Sequence, residues 1–354
     1  MRCLSSNVGR KIGLIGRVDP KRTLFDGQTV KTRMMYRLLC EMYDAERIEV
    51  VDTIDWRHNV LRIVAGTHRC LRECDDIVIL LSRNGRKVLY PILARAAQRR
   101  GKRIYQNLIG GWLDGDLEQY PQWAGYLNAF TMNWVESHKL VDALVAKGVT
   151  NARYLPNFKY LDVPVIPDTR EYGSRWRFCV FSRVVREKGI GDAMRAVEDV
   201  NGGDGDRTYS LDIYGPVSAG FEEEFDSLLT ECPHSRYLGS VAPEESVAIV
   251  GGYDALLFPT RWQKEGIPGT IIDALTAGVP VISAHWLYYD ELLEDGTTGF
   301  GYEFGHNDLL PDVIRRFVGL TDGERNAMRH ACLERAKAFT PEAVADEIRR
   351  EIGR

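Results

Sequence analysis

Short apolar segments alternate along the chain with longer segments in which apolar residues recur at helical spacing. Segments of the first kind are typical of β-strands, and those of the second kind of amphipathic helices. Five strands are predicted in the first half of the chain, namely KIGLIG, RIEVVDT, DDIVILLS, KRIYQNL and FTMNWV. Strands and helices in this alternating order predict a parallel sheet with right-handed crossovers.

The alternation stops between Pro156 and Trp176 and then resumes. This segment contains three prolines and Gly173 without clear periodicity, so we place the interdomain linker there. Beyond it, six further strands are predicted, namely WRFCVFSRV, YSLDIYG, SRYLGSV, DALLFPT, VPVISA and GFGYEF. The sequence therefore predicts two Rossmann-like, doubly wound domains at residues 1–165 and 176–338, and a final helix at 341–354 that packs back on the first domain.

The composition fits this division. A chain of 354 residues with a hydrophobic content of 44% is long enough for two packed cores. No apolar segment is long enough for a signal peptide or a membrane span, so we expect a cytoplasmic protein. The seven cysteines are scattered, with no CxxC pair and no His/Cys cluster at metal spacing, which predicts reduced thiols and no metal site.

The net charge of −4 is distributed unevenly. Residues 1–160 contain 26 Lys and Arg against 16 Asp and Glu, whereas the rest of the chain contains 20 against 34. The basic first half suggests an anionic partner, for which a membrane surface or a phosphate-bearing acceptor fits as well as nucleic acid. Solvated faces that happen to differ in charge explain the asymmetry equally well.

The densest candidate site is the segment PTRWQKEGIPGTIIDALTAGVPVISA, residues 259–284. A predicted strand ends just before it, and Pro268 suits the first turn of a helix that stops before Gly278. The N–H groups of Gly269 and Thr270 would then be exposed at a helix N-terminus. Unpaired donors and the helix dipole favour a phosphate at such a position.

Two carboxylates accompany this helix start. Glu265 lies just outside the helix and suits hydrogen bonds from sugar hydroxyls, and Asp273, eight residues later, suits hydroxyls such as those of a ribose. Taken singly, Glu265 is better explained as a helix-start carboxylate and Asp273 as a solvated helix residue. Their combined spacing favours a binding site.

The segment FSRVVREKGIGDAM, residues 181–194, runs from a predicted strand into a loop with Arg183 and Lys188. Cations at the carboxyl end of a parallel strand lie where open α/β sheets bind ligands. They would neutralise a diphosphate and the charge that grows on it when a glycosidic bond breaks. The alternative is a basic surface loop. We expect Arg186 and Glu187 to face solvent or to pair with each other.

The loop after the first strand contains Gly27 and Gln28, and Lys31 lies in the first turns of the next helix. A glycine there lets the backbone approach a phosphate, which Lys31 would also contact. An ordinary connection between a strand and a helix explains these residues about as well. Gly13 and Gly16 do not complete a GxGxxG motif, so a nicotinamide cofactor is disfavoured.

Together these motifs resemble the retaining glycosyltransferases of the GT-B fold, group 1 or family four. That class has a strand ending in Arg, a Lys five positions later before a Gly, and an E-x7-E unit followed by AxAxGxPVI. The matching residues here are Arg183 and Lys188, then Glu265 and Asp273, with Asp in place of the second Glu, and DALTAGVPVI. Further matches are LPNF, IYGP and ELLEDGTTGF.

The resemblance implies two domains that face a central cleft, with a UDP- or GDP-sugar as the donor. It implies that Arg183 and Lys188 hold the donor diphosphate and that Glu265 contacts the donor sugar. Family members transfer the sugar with retention, generally without a metal or other cofactor, and the leaving phosphate helps to deprotonate the acceptor. The other donor-binding residues that we assign are Asp273, Gly266, Gly269, Thr270, Gly27 and Gln28.

One departure concerns a histidine of the first domain that touches the donor sugar in many relatives. The corresponding segment here, YQNLIGGWLDG, contains no histidine. We therefore assign contact with the sugar or the acceptor to Asn107, Gly110, Gly111, Trp112 and Lys31. The missing histidine leaves open a non-catalytic GT-B subunit that binds a nucleotide sugar, and a two-domain oxidoreductase is the other alternative.

The GQTVKT and IGGWL segments resemble a subgroup linked with bacterial capsule, exopolysaccharide or lipopolysaccharide assembly. Its acceptor is usually a lipid-linked diphosphate sugar at the inner face of the membrane, so we expect a glycan or lipid-linked acceptor and no nucleic acid. Each exposed cation adds roughly 1 kcal/mol of attraction to an anionic leaflet. The cations around one predicted helix are Arg86, Lys87, Arg95, Arg99, Arg100, Lys102 and Arg103.

Overall fold

The computed structural model describes residues 11–24, 26–161, 169–203, 205 and 207–352. It divides into two compact units, Met1–Tyr160 with Thr340–Arg354 (unit 1) and Leu161–Phe339 (unit 2). Each unit contains one six-stranded parallel sheet with helical crossovers, which confirms the predicted fold class. Residues 162–168 of the predicted linker lie outside the described residues.

The strands of unit 1 are β1 (Lys11–Gly16), β2 (Ile48–Asp52), β3 (Cys74–Leu80), β4 (Arg103–Asn107), β5 (Met132–Val135) and β6 (Ala152–Tyr154). They are parallel and lie in the order β2-β1-β3-β4-β5-β6. The five strands predicted for this half are present. Strand β6 was not predicted because three residues are too few to show a period.

The helices of unit 1 are α1 (Gly27–Tyr43), α2 (Val60–Glu73), α3 (Arg83–Arg100), α4 (Leu113–Gln119), α5 (Trp123–Ala129) and α6 (His138–Ala146). The connection through α1 crosses the sheet in one direction, and those through α2 and α3 cross it in the other. Because such crossovers are right-handed, α1 lies on one face of the sheet and α2 and α3 lie together on the opposite face.

The strands of unit 2 are β7 (Arg175–Phe181), β8 (Thr208–Tyr214), β9 (Ser235–Gly239), β10 (Ala255–Phe258), β11 (Val281–Ala284) and β12 (Gly299–Tyr302). Their order is β12-β11-β10-β7-β8-β9. The chain builds outward from β7 to β9 and then returns to the other side of β7 as β10. At such a reversal the loops after the two central strands diverge, and open α/β sheets bind ligands in the crevice that this leaves.

The helices of unit 2 are α7 (Ile190–Gly203), α8 (Glu222–Glu231), α9 (Ser246–Val250), α10 (Gly269–Thr276), α11 (Leu310–Val318) and α12 (Asp322–Ala336). Most of its large core side chains lie on the strands and on α7. Trp176, Phe178 and Val180 of β7, for example, pack with Met194 and Val197 of α7. This core holds β7, and with it the loop that follows β7, in a fixed position.

The last helix, α13 (Pro341–Glu351), packs in unit 1. Pro341 occupies its first turn, where a missing N–H costs nothing. Val344 and Ile348 are buried in the same core cluster as residues of α1, and the Tyr43 hydroxyl donates to the Ile352 carbonyl at 2.9 Å. No helix among the described residues is long and apolar enough to cross a membrane.

Candidate functional site

The loops after β7 and β10 carry the principal predicted site residues of unit 2. These two strands are parallel neighbours at the point where the strand order reverses. The loop after β7 contains Arg183 and Lys188, and the loop after β10 contains Glu265. Because the carboxyl ends of parallel strands meet at one edge of the sheet, this topology brings the two loops together.

Lys188 and Glu265 form a direct ion pair. The Lys188 Nζ lies 2.5 Å from Glu265 Oε2, and the two side chains are only 16% and 18% exposed. The Thr260 hydroxyl lies 3.4 Å from the same carboxylate oxygen, and the lysine ammonium lies 5.5 Å from the centre of the Phe258 ring. A half-buried cation and a half-buried carboxylate are therefore in direct contact at the edge of the sheet.

Two glycines allow this close approach of loops. Gly189 has φ +68°, and a Cβ atom there would overlap the carbonyl oxygen of Pro259. Gly215, in the IYGP segment after β8, has φ +132°, and a Cβ atom there would overlap the carbonyl oxygen of Ser182. Only glycine adopts such conformations without a steric cost. The Arg183 loop is therefore packed between the loops after β8 and β10.

Asp192, in the first turn of α7, connects three segments around the ion pair. Its carboxylate accepts two hydrogen bonds from Arg261, at 2.6 and 2.7 Å, and one from Asn307, at 2.6 Å. The Asn307 amide also donates to the Pro259 carbonyl at 3.1 Å. Asp192 thus joins the start of α7, the loop after β10 and the segment before α11.

The sequence analysis did not identify Asp192, Arg261 or Asn307 as site residues. No motif contains them, because they are 46 to 115 positions apart and meet only when the loops are folded. The acidic residue in the first turn of a helix was the only signal available, and it is a common helix-start feature.

Helix α10 begins at Gly269 and ends before Gly278, as predicted, but Pro268 occupies the N-cap position and not the first turn. The first N–H groups of a helix have no partner within it, so those of Gly269 and Thr270 are available to a ligand. The Thr270 hydroxyl is buried and forms no hydrogen bond with the described residues. The helix start therefore combines backbone donors with an unpartnered hydroxyl. Gly266 lies in the loop just before it.

The remaining predicted residues of unit 2 differ in exposure. Asp273 is buried in α10, so it is not a solvated helix residue.

Arg183 is exposed, and its side chain forms no ion pair or hydrogen bond with the described residues. Arg186 pairs with Glu224 of α8, whereas Glu187 is exposed and offers its carbonyl to the Arg261 N–H. Arg183 is thus the accessible cation next to the Lys188 loop.

In unit 1, the start of α1 is held by Asp26, which accepts hydrogen bonds from the N–H groups of Gln28 and Thr29. Gly27 is exposed, and a Cβ atom there would meet nothing within 4 Å. Lys31 is buried instead. Its ammonium pairs with Glu136 and donates to the Leu108 carbonyl, and burial lowers the pKa of Lys31.

The carboxyl end of β4 contains the residues that we assigned to the sugar or the acceptor. Asn107 is only 1% exposed, and neither its amide oxygen nor its amide nitrogen has a hydrogen-bond partner among the described residues. Gly110 has φ +80° with open space at its Cβ position, Gly111 is buried and Trp112 is exposed. Asn107 therefore presents unused hydrogen-bonding capacity.

The described residues contain no group of three or more His, Cys, Asp or Glu side chains that could hold a metal ion. Six cysteines are described, and all are unpaired thiols.

Comparison with known proteins finds a family similar to this part of the chain. Residues 175–318 match the family of glycosyl transferases group 1. The matched segment extends from β7 to α11 of unit 2. This segment contains Arg183, Lys188, Glu265 and Asp273, and the match confirms the resemblance found in the sequence.

Among curated proteins, the amylovoran biosynthesis glycosyltransferase AmsK of Erwinia amylovora is 26% identical over 169 residues. This match covers 46% of the chain and 40% of AmsK, so the chain spans less than half the length of that relative.

Two solved structures match nearly the whole chain. HepE from Anabaena, solved with UDP, has a TM-score of 0.72 at 15% identity and covers 96% of this chain and 98% of its own. The lipopolysaccharide outer core galactosyltransferase WaaB has a TM-score of 0.70 at 14% identity, with 97% and 99% covered. The two units therefore have the GT-B glycosyltransferase fold, as predicted.

Proposed function

We propose that the protein is a retaining, metal-independent glycosyltransferase that uses a nucleotide-diphosphate sugar. The observation that carries this proposal is the Lys188–Glu265 pair, which lies where the strand order of unit 2 reverses. A cation beside a carboxylate suits a ligand in which a diphosphate, which the cation binds, is joined to a sugar, which the carboxylate binds. The group 1 family of this domain supports the same activity.

In this proposal, Lys188 and Arg183 bind the donor diphosphate, and the first N–H groups of α10 add uncharged donors. Charge-assisted hydrogen bonds of this kind strengthen as negative charge develops on the leaving group. Binding of the diphosphate to Lys188 weakens the ion pair of the ligand-free protein. Glu265 is then available to accept hydrogen bonds from the donor sugar.

We assign the nucleoside to Asp273, whose carboxylate would accept from the ribose hydroxyls, and Gly27 and Gln28 to further donor contacts. The donor is a UDP- or GDP-sugar, and the bound UDP and UDP-glucose in HepE structures support a uridine nucleotide. Retention follows if the leaving phosphate takes the acceptor proton on the face from which it departs. No protein base is then required.

The acceptor is proposed to be a glycan or lipid-linked sugar of bacterial surface polysaccharide biosynthesis. The names of AmsK and WaaB, which refer to amylovoran biosynthesis and the lipopolysaccharide outer core, support this setting. Asn107, Gly110, Gly111 and Trp112 are the residues of unit 1 that we assign to the acceptor or the sugar. The reaction would occur in the cytoplasm at the inner face of the membrane.

The test is turnover of a panel of UDP- and GDP-sugars with lipid-diphosphate-linked acceptors. We expect one donor to be consumed with formation of a product whose new linkage keeps the anomeric configuration of the donor, as measured by NMR. Dialysis against a chelator should leave most of the activity. Tight nucleotide-sugar binding without turnover on any acceptor would instead indicate a non-catalytic subunit, and an inverted linkage would contradict retention.

A further inference from the structure

Exposed apolar side chains are concentrated on α2 and α3 of unit 1. Five of the thirteen exposed large hydrophobic residues among the described residues lie there, and a sixth, Trp56, lies in the segment just before α2. Leu61 is 86% exposed and Trp56 is 48% exposed. We call this set the α2–α3 surface, and its apolar members are Trp56, Val60, Leu61, Val64, Val88 and Ile92.

The exposed positions follow from the geometry of the helices. Helix α2 turns Ile63, Cys70 and Leu71 inward, so Leu61 lies on its outer side and Val64, which is 53% exposed, at the edge of its buried face. On α3, Val88 and Ile92 are one turn apart and exposed, whereas the residues that α3 buries lie at other positions of the helix. Because α2 and α3 lie on the same face of the sheet, these side chains point away from unit 1 in the same general direction.

Arginines that lack an acidic partner lie among these apolar side chains. Elsewhere, many exposed arginines are paired with a carboxylate, as Arg186 is with Glu224 and Arg315 with Asp199. By contrast, five exposed arginines of the α2–α3 surface form no ion pair with any described residue. They are Arg57, Arg62, Arg95, Arg99 and Arg100.

We propose that the α2–α3 surface docks on an anionic lipid leaflet, with its apolar side chains inserted among the lipids and its arginines at the headgroup phosphates. A basic face that also exposes Trp, Leu, Val and Ile is typical of segments that lie in the membrane interface. A lipid-linked acceptor would be presented at such a surface. The presence of a lipid-linked acceptor at this surface rests on the proposed function, whereas the binding of lipid does not.

An anionic leaflet suits this surface better than a second copy of the chain does. Two copies meeting through the α2–α3 surface would bring five unpaired arginines of one copy towards five of the other, and Asp55, the exposed carboxylate beside Arg57, is already paired with His58. A leaflet of anionic lipids supplies both the negative charge and the apolar layer. The arginines of the surface therefore match the anionic headgroups, and its apolar side chains match the lipid tails.

The test is sedimentation of the whole protein with phosphatidylcholine vesicles that contain or lack phosphatidylglycerol. We expect binding to the anionic vesicles, and a loss of at least about tenfold in partitioning for Arg95→Glu/Arg99→Glu/Arg100→Glu, since each cation contributes roughly fivefold. Leu61→Ser/Val64→Ser should also bind more weakly. The controls, Leu238→Ser and Arg349→Glu/Arg350→Glu, alter exposed residues elsewhere and should bind like the wild type.

Trp56 provides a second readout. On addition of anionic vesicles we expect a blue shift of the tryptophan fluorescence that is absent in Trp56→Phe. Vesicle binding that is unchanged in both surface variants would overturn the proposal, as would a lipid-free dimer that Leu61→Ser/Val64→Ser abolishes. Sugar transfer to a water-soluble acceptor is measured in parallel. If the wild type transfers sugar but does not bind vesicles, the surface proposal fails and the proposed function stands.

Discussion

At the scale of single residues, the two charges of the Lys188–Glu265 pair depend on each other. Each side chain is less than one-fifth exposed, so neither charge is fully hydrated in the absence of the other. In the ligand-free protein Glu265 compensates Lys188, and in our proposal the diphosphate replaces it. The two residues should therefore respond differently to substitution.

We expect Lys188→Ala to weaken UDP binding by about 10- to 100-fold, because it removes a charge-assisted hydrogen bond worth about 1.5–3 kcal/mol. Glu265→Gln should lower kcat by about a hundredfold without weakening UDP binding, because UDP lacks the sugar and Lys188 no longer has a competing carboxylate. Calorimetry with UDP and initial transfer rates measure the two effects. Glu223→Gln, an exposed change on α8, is the control. Wild-type transfer by Glu265→Gln would place the sugar elsewhere.

Substitution of Asn107 tests whether this residue binds a ligand or only supports the fold. Its buried amide has no partner among the described residues, and an unsatisfied buried polar group costs about 1–3 kcal/mol. We therefore expect Asn107→Leu to keep or raise the melting temperature while lowering kcat/KM for the acceptor or the donor sugar by up to about tenfold.

The control for Asn107 is Asn133 on the neighbouring strand β5. Its amide nitrogen donates to the Leu127 carbonyl at 3.0 Å and to the Asn151 side chain at 2.7 Å. Asn133→Leu should therefore lower the melting temperature, in contrast to Asn107→Leu. A fall in melting temperature for Asn107→Leu with unchanged kinetics would show that Asn107 serves the fold only.

At the scale of elements, the position of the Lys188 loop relative to the Glu265 loop depends on Asp192. Asp192→Ala leaves Arg261 and Asn307 without their shared acceptor, so we expect a loss of about 1–3 kcal/mol in the free energy of unfolding and weaker UDP binding. Asp199→Ala, at the other end of α7, breaks an exposed pair with Arg315 and should cost less than about 1 kcal/mol. Denaturant titration and calorimetry compare the two variants. Equal effects on UDP affinity would contradict a positioning role for Asp192.

The predictability of the site differs between elements and loops. Strand and helix segments could be predicted because each carries its own apolar period, and the meeting of Lys188 with Glu265 was expected from parallel strands that end at one sheet edge. The link between Asp192 and Arg261 could not, because it depends on the path of two loops. The burial of Lys31 was also not foreseen, since its partner Glu136 lies 105 positions away.

At the scale of the whole molecule, the net charge of −4 is the sum of a basic first half and an acidic second half. The acidic half contains the proposed site for an anionic donor, so attraction there depends on a few local cations rather than on the charge of unit 2. The basic half contains the α2–α3 surface, whose arginines are exposed to solvent. These two kinds of anion binding should therefore differ in their dependence on salt.

Raising NaCl from about 50 to about 300 mM shortens the Debye length from about 14 to about 6 Å. This screening acts most strongly on exposed charges, so we expect partitioning to anionic vesicles to fall by about tenfold or more. The UDP dissociation constant should change by less than about threefold, because Lys188 is largely shielded from solvent. Sedimentation and calorimetry in the same buffers measure both quantities, with neutral vesicles as the control. A parallel loss of both would mean that the donor is held mainly by exposed charges such as Arg183, and would contradict the central role of Lys188.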